Sequence, residues 1–143
     1  MDTSCFILTE DNIRFHICML KKIAVADGYF SESEQRFIAE TAAIYCTAIP
    51  ELDPVQLMES TITDEEYAQN LEKLASFQPR ARLLLKDLIS LGHIDGDYSD
   101  PEKKLVRQIG GKMNVPEEIV GKLELAVEDL IKATSALNAV LYS

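Results

Sequence analysis

The sequence predicts an all-α domain, on three observations. Alternation of apolar and polar residues with period two is nearly absent, and apolar residues recur at helical spacing throughout. An eight-residue segment also occurs twice, at Asp27 and again at Asp95, an offset of 68 residues with the apolar flanks in phase. At 143 residues the chain fits one domain that can bury most of its apolar surface, and 47% apolar with 27% charged residues is an ordinary globular composition.

Ile13, Ile17, Leu20 and Ala24 form one stripe of a first helix over about 10–26, for which Thr9 is the N-cap. Phe37, Ile38, Ile44 and Tyr45 mark a second over about 32–48, which Pro50 ends. Asp53-Pro54 reads as an N-cap followed by a proline at the first helical position, opening a short acidic helix. Thr63-Asp64-Glu65-Glu66 is a capping box and starts a fourth helix that runs to about Phe77.

Pro79 starts the fifth helix, whose Leu84, Leu85, Leu88, Ile89 and Leu91 give an apolar arc so broad that it predicts the centre of the fold. A sixth helix covers about 100–113, with Gly110-Gly111 marking close packing or an early end. Pro116 begins the last, which carries Ile119, Leu123, Ala126, Leu130, Leu137 and Leu141 on one side to about 141. The expected organisation is a single domain over 1–143: repeat 1 at about 10–49, acidic connecting helices at about 51–77, repeat 2 at about 79–114 and a C-terminal helix at about 116–141.

Charge narrows the function. Fourteen Lys and Arg against 24 Asp and Glu leave a net −10, which disfavours nucleic acid and anionic membrane surfaces and favours cations or basic partners. The excess is concentrated: residues 1–70 hold 13 acids and 4 bases, residues 71–143 hold 11 and 10. Cys5, Cys18 and Cys46 are odd in number and without C-x-x-C spacing, so neither a disulfide framework nor a cysteine zinc site is expected, and a reducing compartment is. With no basic n-region before the short run Cys5 to Leu8, and no apolar stretch near 18 residues, the expectation is a soluble cytoplasmic protein without membrane insertion.

The repeated segment, Asp27-Gly28-Tyr29-Phe30-Ser31-Glu32-Ser33-Glu34 and Asp95-Gly96-Asp97-Tyr98-Ser99-Asp100-Pro101-Glu102, follows D-G-x-[FY]-S-x-x-E. Leu20, Ile23, Phe37 and Ile38 of the first copy meet Leu88, Leu91, Leu105 and Val106 of the second, which predicts two duplicated helix–turn–helix units. Gly28 and Gly96 supply a left-handed residue where a helix stops, Ser31 and Ser99 cap the next helix, and Glu34 and Glu102 complete capping boxes. Tyr29-Phe30 and Tyr98 can pack between the two helices.

Asp27 and Asp95 are read as acids at a helix C-terminus, where the macrodipole costs about 0.3–1 kcal/mol unless something offsets it. Two readings follow. Each carboxylate reaches the amides opening the next helix, or Asp27, Glu34, Asp95, Asp97 and Glu102, with Ser99, supply hard oxygen ligands to a divalent cation, Ca²⁺, Mg²⁺, Mn²⁺ or Zn²⁺.

Neither segment is an EF-hand: counted from Asp95, position 6 is Asp100 where Gly is needed and position 12 is Val106 where Glu is needed, and the first copy has Tyr29 at 3 and Ile38 at 12. His93 could join Asp95 on a softer metal or sit half-buried and satisfied. His16 and Cys18, two apart on a helix, do not face each other. No phosphate-binding, dinucleotide-binding, nucleophile-elbow or H-E-x-x-H motif occurs.

The duplicated motif within an all-α chain of this length resembles the bacterial tellurite-resistance TerB-like family, built from two such helix–DG-turn–helix units and related to the N-terminal region of a membrane-tethered DnaJ-type cochaperone. The likeness spans about residues 10–141 and points to Asp27, Gly28, Glu34, Asp95, Gly96 and Glu102 as signature positions. It implies a cytoplasmic, non-enzymatic stress-response protein whose acidic face binds metal ions or partners. Where that family often has a further acid after the last Glu, this chain has Gln35 and Lys103.

Two functions are therefore expected in competition. One is a stress-associated module binding a divalent cation at its DG loops. The other is a metal-free interaction scaffold or cochaperone-like domain that meets a basic partner through Glu51, Asp53, Glu59, Asp64, Glu65 and Glu66. An enzyme would have only carboxylates for acid and base chemistry. Oligomeric state is not readable from the sequence.

Overall fold

In the computed structural model of the protein, which describes residues 9–26, 28, 30–94 and 96–143, the chain is all-helical, with no strand among the described residues. Seven helices follow in order: α1 (Glu10–Ala24), α2 (Glu32–Ala48), α3 (Pro54–Glu59), α4 (Asp64–Ala75), α5 (Gln78–Gly92), α6 (Asp100–Lys112) and α7 (Glu117–Leu141).

The starts follow the cap chemistry. Thr9 Oγ1 accepts the Asn12 amide at 3.2 Å and the Asp53 carboxylate accepts Val55 N at 3.0 Å. Thr63, Ser31 and Ser99 each close a reciprocal capping box with the Glu three residues on. Ends are less regular. α6 closes in a Schellman motif: Val115 N reaches Gly110 O at 2.9 Å and Asn114 N reaches Gly111 O at 3.1 Å, with Asn114 at φ 55. The glycine pair therefore does not end α6 early. Gly110 instead permits close packing, since a Cβ there would lie 3.1 Å from Val120 Cγ2 and 3.4 Å from Leu85 Cδ1.

At the centre α1 crosses α5, with α2 against α1, α6 against α5, and α7 laid over α5 and α6; α3 bridges α1 and α2, and α4 covers α5 and α6. Ile13, Ile17, Leu20 and Ala24 are buried as the stripe requires, and so are Leu84, Leu85, Leu88, Ile89 and Leu91 of α5. Full burial of such a side chain contributes about 1.5–3 kcal/mol, and α1, which also buries Phe15, Met19 and Ile23, contributes at least as much to the core as α5.

Two stripes differ from expectation. On α2, Ile38 and Ala42 are buried and Phe37 and Tyr45 partly so, but Ile44 is 68% exposed because no element lies over that side of the helix. On α7, Val120 and Val127 are the buried residues and Ile119 and Leu123 pack partly, whereas Leu130, Leu137 and Leu141 are exposed. The periodicity is real, yet the body it would seat against ends near Val127.

Candidate functional site

The described parts of the two bends share two turn hydrogen bonds. After α1, Ala26 N reaches Ile23 O at 3.1 Å and Gly28 N reaches Val25 O at 3.0 Å; after α5, Ile94 N reaches Leu91 O at 3.1 Å and Gly96 N reaches His93 O at 2.9 Å. All four pairs obey the 68-residue offset. Gly28 and Gly96 have φ 84 and 82, and a Cβ at either meets nothing within 4 Å. Backbone conformation, not space, is what requires glycine there.

The glycines are not at the C′ positions expected. α1 ends at Ala24 with Val25 as C-cap, and α5 at Gly92 with His93 as C-cap, so each glycine closes a further turn three residues past the cap. In sequence, Asp27 and Asp95 come three residues after the last residues of α1 and α5, not at the helix C-terminus as expected. Both aspartates lie outside the described residues, as does Tyr29.

Of the expected cation ligands among the described residues, Glu34 and Glu102 are buried, 3% and 2% exposed. Glu34 Oε1 accepts the Ser31 amide at 3.0 Å, while Ser31 Oγ accepts Glu34 N at 3.1 Å. Glu102 Oε1 accepts both the amide and the hydroxyl of Ser99, at 2.9 and 2.7 Å. Each carboxylate is thus turned onto the start of its own helix. Asp97 is exposed. Among the described residues no three or more His, Cys, Asp or Glu side chains are grouped to hold a metal ion.

Beside the second bend lies a cleft of about 470 Å³, lined by His93, Gly96, Asp97, Tyr98, Lys103, Arg107, Glu124 and Glu128. Three of its polar side chains are joined, Tyr98, Arg107 and Glu124. Tyr98 Oη donates to Glu124 Oε2 at 2.9 Å, and Arg107 donates to Glu124 Oε1 at 2.5 Å and to Glu117 at 3.4 Å. Burial, then the bond to Glu124, pushes the Tyr98 phenol far above its ordinary value, so it acts as a donor and not as a base. The His93 and Tyr98 rings lie 4.9 Å apart, and His93 is half-buried. Tyr98 also explains Gly92, where a Cβ would stand 2.7 Å from the ring. At the first bend Phe30 and Ala24 occupy the positions of Tyr98 and Gly92, so the phenol and the glycine that accommodates its ring are particular to the second.

Compared with models of known families, with curated proteins and with solved structures, the chain matches none.

The acidic stretch 51–66 runs along α3 and into α4, and the basic residues of α1 hold it in place. Arg14 donates to Thr61 O at 2.9 Å and to Glu66 Oε2 at 2.5 Å; Lys21 donates to Met58 O at 3.0 Å and to Ser60 O, the last carbonyls of α3. The Arg14 hydrogen bond holds the Glu66 carboxyl below its ordinary range. Lys22 and Lys112 stand over the two sides of the Tyr67 ring, 4.8 and 5.1 Å from its centre, and Lys21, Lys22 and Tyr67 line a smaller cleft of about 210 Å³ with Cys18 and residues 60–64. Glu66 is half-buried and paired, whereas Glu51, Asp53, Glu59, Asp64 and Glu65 are exposed. No helix among the described residues is long and apolar enough to cross a membrane.

One polar pair was not legible in the sequence. His16 on α1 and Asp87 on α5 are both 8% exposed, and His16 Nε2 lies 2.8 Å from Asp87 Oδ2, with the Tyr45 ring edge-on to His16 at 5.4 Å. Burial alone would raise the Asp87 carboxyl, but the hydrogen bond and charge of His16, helped by Lys86, bring it below the ordinary value. Burial, then the Asp87 charge, pushes Tyr45 up to about 12. A lone acid inside the apolar arc of α5 was the available signal. Cys18, as expected, turns away from His16; its thiol reaches Ser60 O at 3.5 Å.

Proposed function

We propose that the chain is a non-enzymatic interaction module of TerB-like type, presenting the acidic stretch 51–66 to a protein partner with a basic surface. The observation that carries this reading is the imbalance along that stretch. Arg14 and Lys21 are engaged with its backbone and with Glu66, which leaves Glu51, Asp53, Glu59, Asp64 and Glu65 exposed. Clustered exposed charge of one sign accelerates encounter with an opposite surface and fixes its register. The stress association, the cytoplasmic location and the common ancestry of the two bends belong to the same proposal; they rest on the resemblance and on the paired motif.

The test is capture of cytosolic partners by wild type and by Glu51→Gln/Glu59→Gln/Glu65→Gln, at low and high ionic strength, with each captured protein then purified and rebound. Screening length falls from about 10 Å at 0.1 M salt to about 3 Å at 1 M. A basic partner held by wild type at low salt, and lost both at high salt and with the variant, supports the reading. Partners indifferent to salt and to the three substitutions overturn it. A divalent cation at the bends is the second reading, favoured by Asp97, the one described acid of that set that is exposed.

A further inference from the structure

The last fourteen residues of α7 present an apolar seam that no other described residue covers. Val120, Leu123, Val127, Leu130, Thr134, Leu137 and Leu141 are spaced alternately three and four apart, the pattern of a coiled-coil seam, with β-branched Val120, Val127 and Thr134 followed by Leu141 at one position and leucine throughout at the other. The first part of the seam is seated on the body: Val120 and Val127 are buried and Leu123 packs against the core. From 128 onward every residue is exposed, with Leu130 and Leu137 each 57%, Leu141 61% and the neighbouring Val140 75%. The helix nonetheless continues unbroken to Leu141.

Charge decides what can cover this face. Residues 133–143 carry no charged side chain, in a chain whose net charge is −10. A basic partner finds nothing there to pair with. An anionic lipid surface finds no Lys or Arg face, which interfacial helices of that kind require. A second copy of this chain, repelled elsewhere by its own net charge, meets its twin at a face where residues 133–143 set no charged side chain against another.

Area points the same way. Residues 128–141 extend about 21 Å at 1.5 Å per residue, and two such helices side by side bury roughly 500 Å² on each copy, about 1,000 Å² in all. That is the lower limit for a specific protein contact, so the association is concentration-dependent. We propose that the exposed seam of α7 is a self-association surface, pairing two copies through Leu130, Leu137 and Leu141 in a two-fold contact.

Sedimentation equilibrium of the whole chain over a range of concentrations tests this, with Leu130→Glu and Val140→Lys/Leu137→Glu as variants. All three positions are exposed, so the variants keep the helicity and melting temperature of a wild-type monomer. The expected result is a mass rising from 16.0 kDa toward twice that value for wild type, little changed by salt, and remaining at one chain for both variants. A wild-type mass fixed at one chain overturns the proposal, and so does a dimer that both variants retain. Binding to neutral phospholipid vesicles by a chain that stays monomeric in solution would assign the face to lipid and overturn it equally.

Discussion

Replacing either member of the buried His16–Asp87 pair destabilises the protein more than replacing both. Asp87→Leu leaves the His16 ring nitrogen 8% exposed and without the acceptor it reaches at 2.8 Å. A hydrogen bond to a charged group contributes about 1.5–3 kcal/mol, and an orphaned buried polar atom costs about 1–3 kcal/mol. The expected loss is about 2–4 kcal/mol. His16→Leu leaves a buried carboxylate, for which removal of a partner costs about 3–5 kcal/mol. Lys86 Nζ, 3.1 Å from Asp87 Oδ1, offsets part of that, because its own side chain is 46% exposed and can follow the charge. His16→Leu/Asp87→Leu removes both polar groups at a contact between two core helices and is expected within about 1 kcal/mol of wild type, since apolar replacement of a buried ion pair is often neutral or better.

Urea unfolding of the four proteins at pH 7 measures the coupling. A sum of single losses matching the loss of the double variant would refute the account of this pair. Acid adds a second check. The Asp87 carboxyl sits below its ordinary 3.8 in the folded chain, so its stabilisation is complete above that value and is lost as pH falls through the lower native one. The cost of Asp87→Leu is therefore largest at neutral pH and shrinks below pH 3.8.

Three further outcomes follow from the bends. Gly28→Ala and Gly96→Ala, with open space but φ 84 and 82, each cost about 1–2 kcal/mol in denaturant unfolding, and their near equality tests whether the bends are energetically alike. Gly92→Ala, at an ordinary helical φ, costs about 1–3 kcal/mol by driving a Cβ into Tyr98, and Gly92→Ala/Tyr98→Leu recovers part of it. Ser31→Ala and Ser99→Ala each lower stability by about 1 kcal/mol, read from melting temperature, through loss of a cap in which the serine hydroxyl accepts the Glu amide at both bends.

What could be read from the sequence was local chemistry. Thr9, Ser31, Asp53, Thr63 and Ser99 were recognisable as caps because an N-cap needs only its own side chain and an amide two or three residues on. The start of α5 at Gln78 follows Phe77, which makes no side-chain cap, and was placed only through the proline beside it. Periodicity named the faces of α2 and α7 only in part: on α7 it chose Ile119, Leu123 and Ala126 where Val120 and Val127 are the buried residues, and it could not say whether another element lies over a stripe, hence Ile44, Ala126 and Leu137 exposed. His16 and Asp87 stand 71 residues apart, and nothing short of the α1–α5 crossing joins them. Of the candidate cation ligands, the inward turn of Glu34 and Glu102 was implicit in Ser-x-x-Glu itself.

The central claim is that the glutamates of the two bends hold helix starts while recognition falls to surface charge, and thermal melting with divalent cations tests it most directly. Ca²⁺, Mg²⁺, Mn²⁺ and Zn²⁺ would each be titrated into wild type and Asp27→Asn/Asp95→Asn at matched ionic strength. A site occupied at about 100 times its dissociation constant adds about 2.7 kcal/mol, several degrees in a domain of this size. The account predicts no saturable rise with any of the four ions. A saturable rise in wild type that the double variant lacks would contradict it.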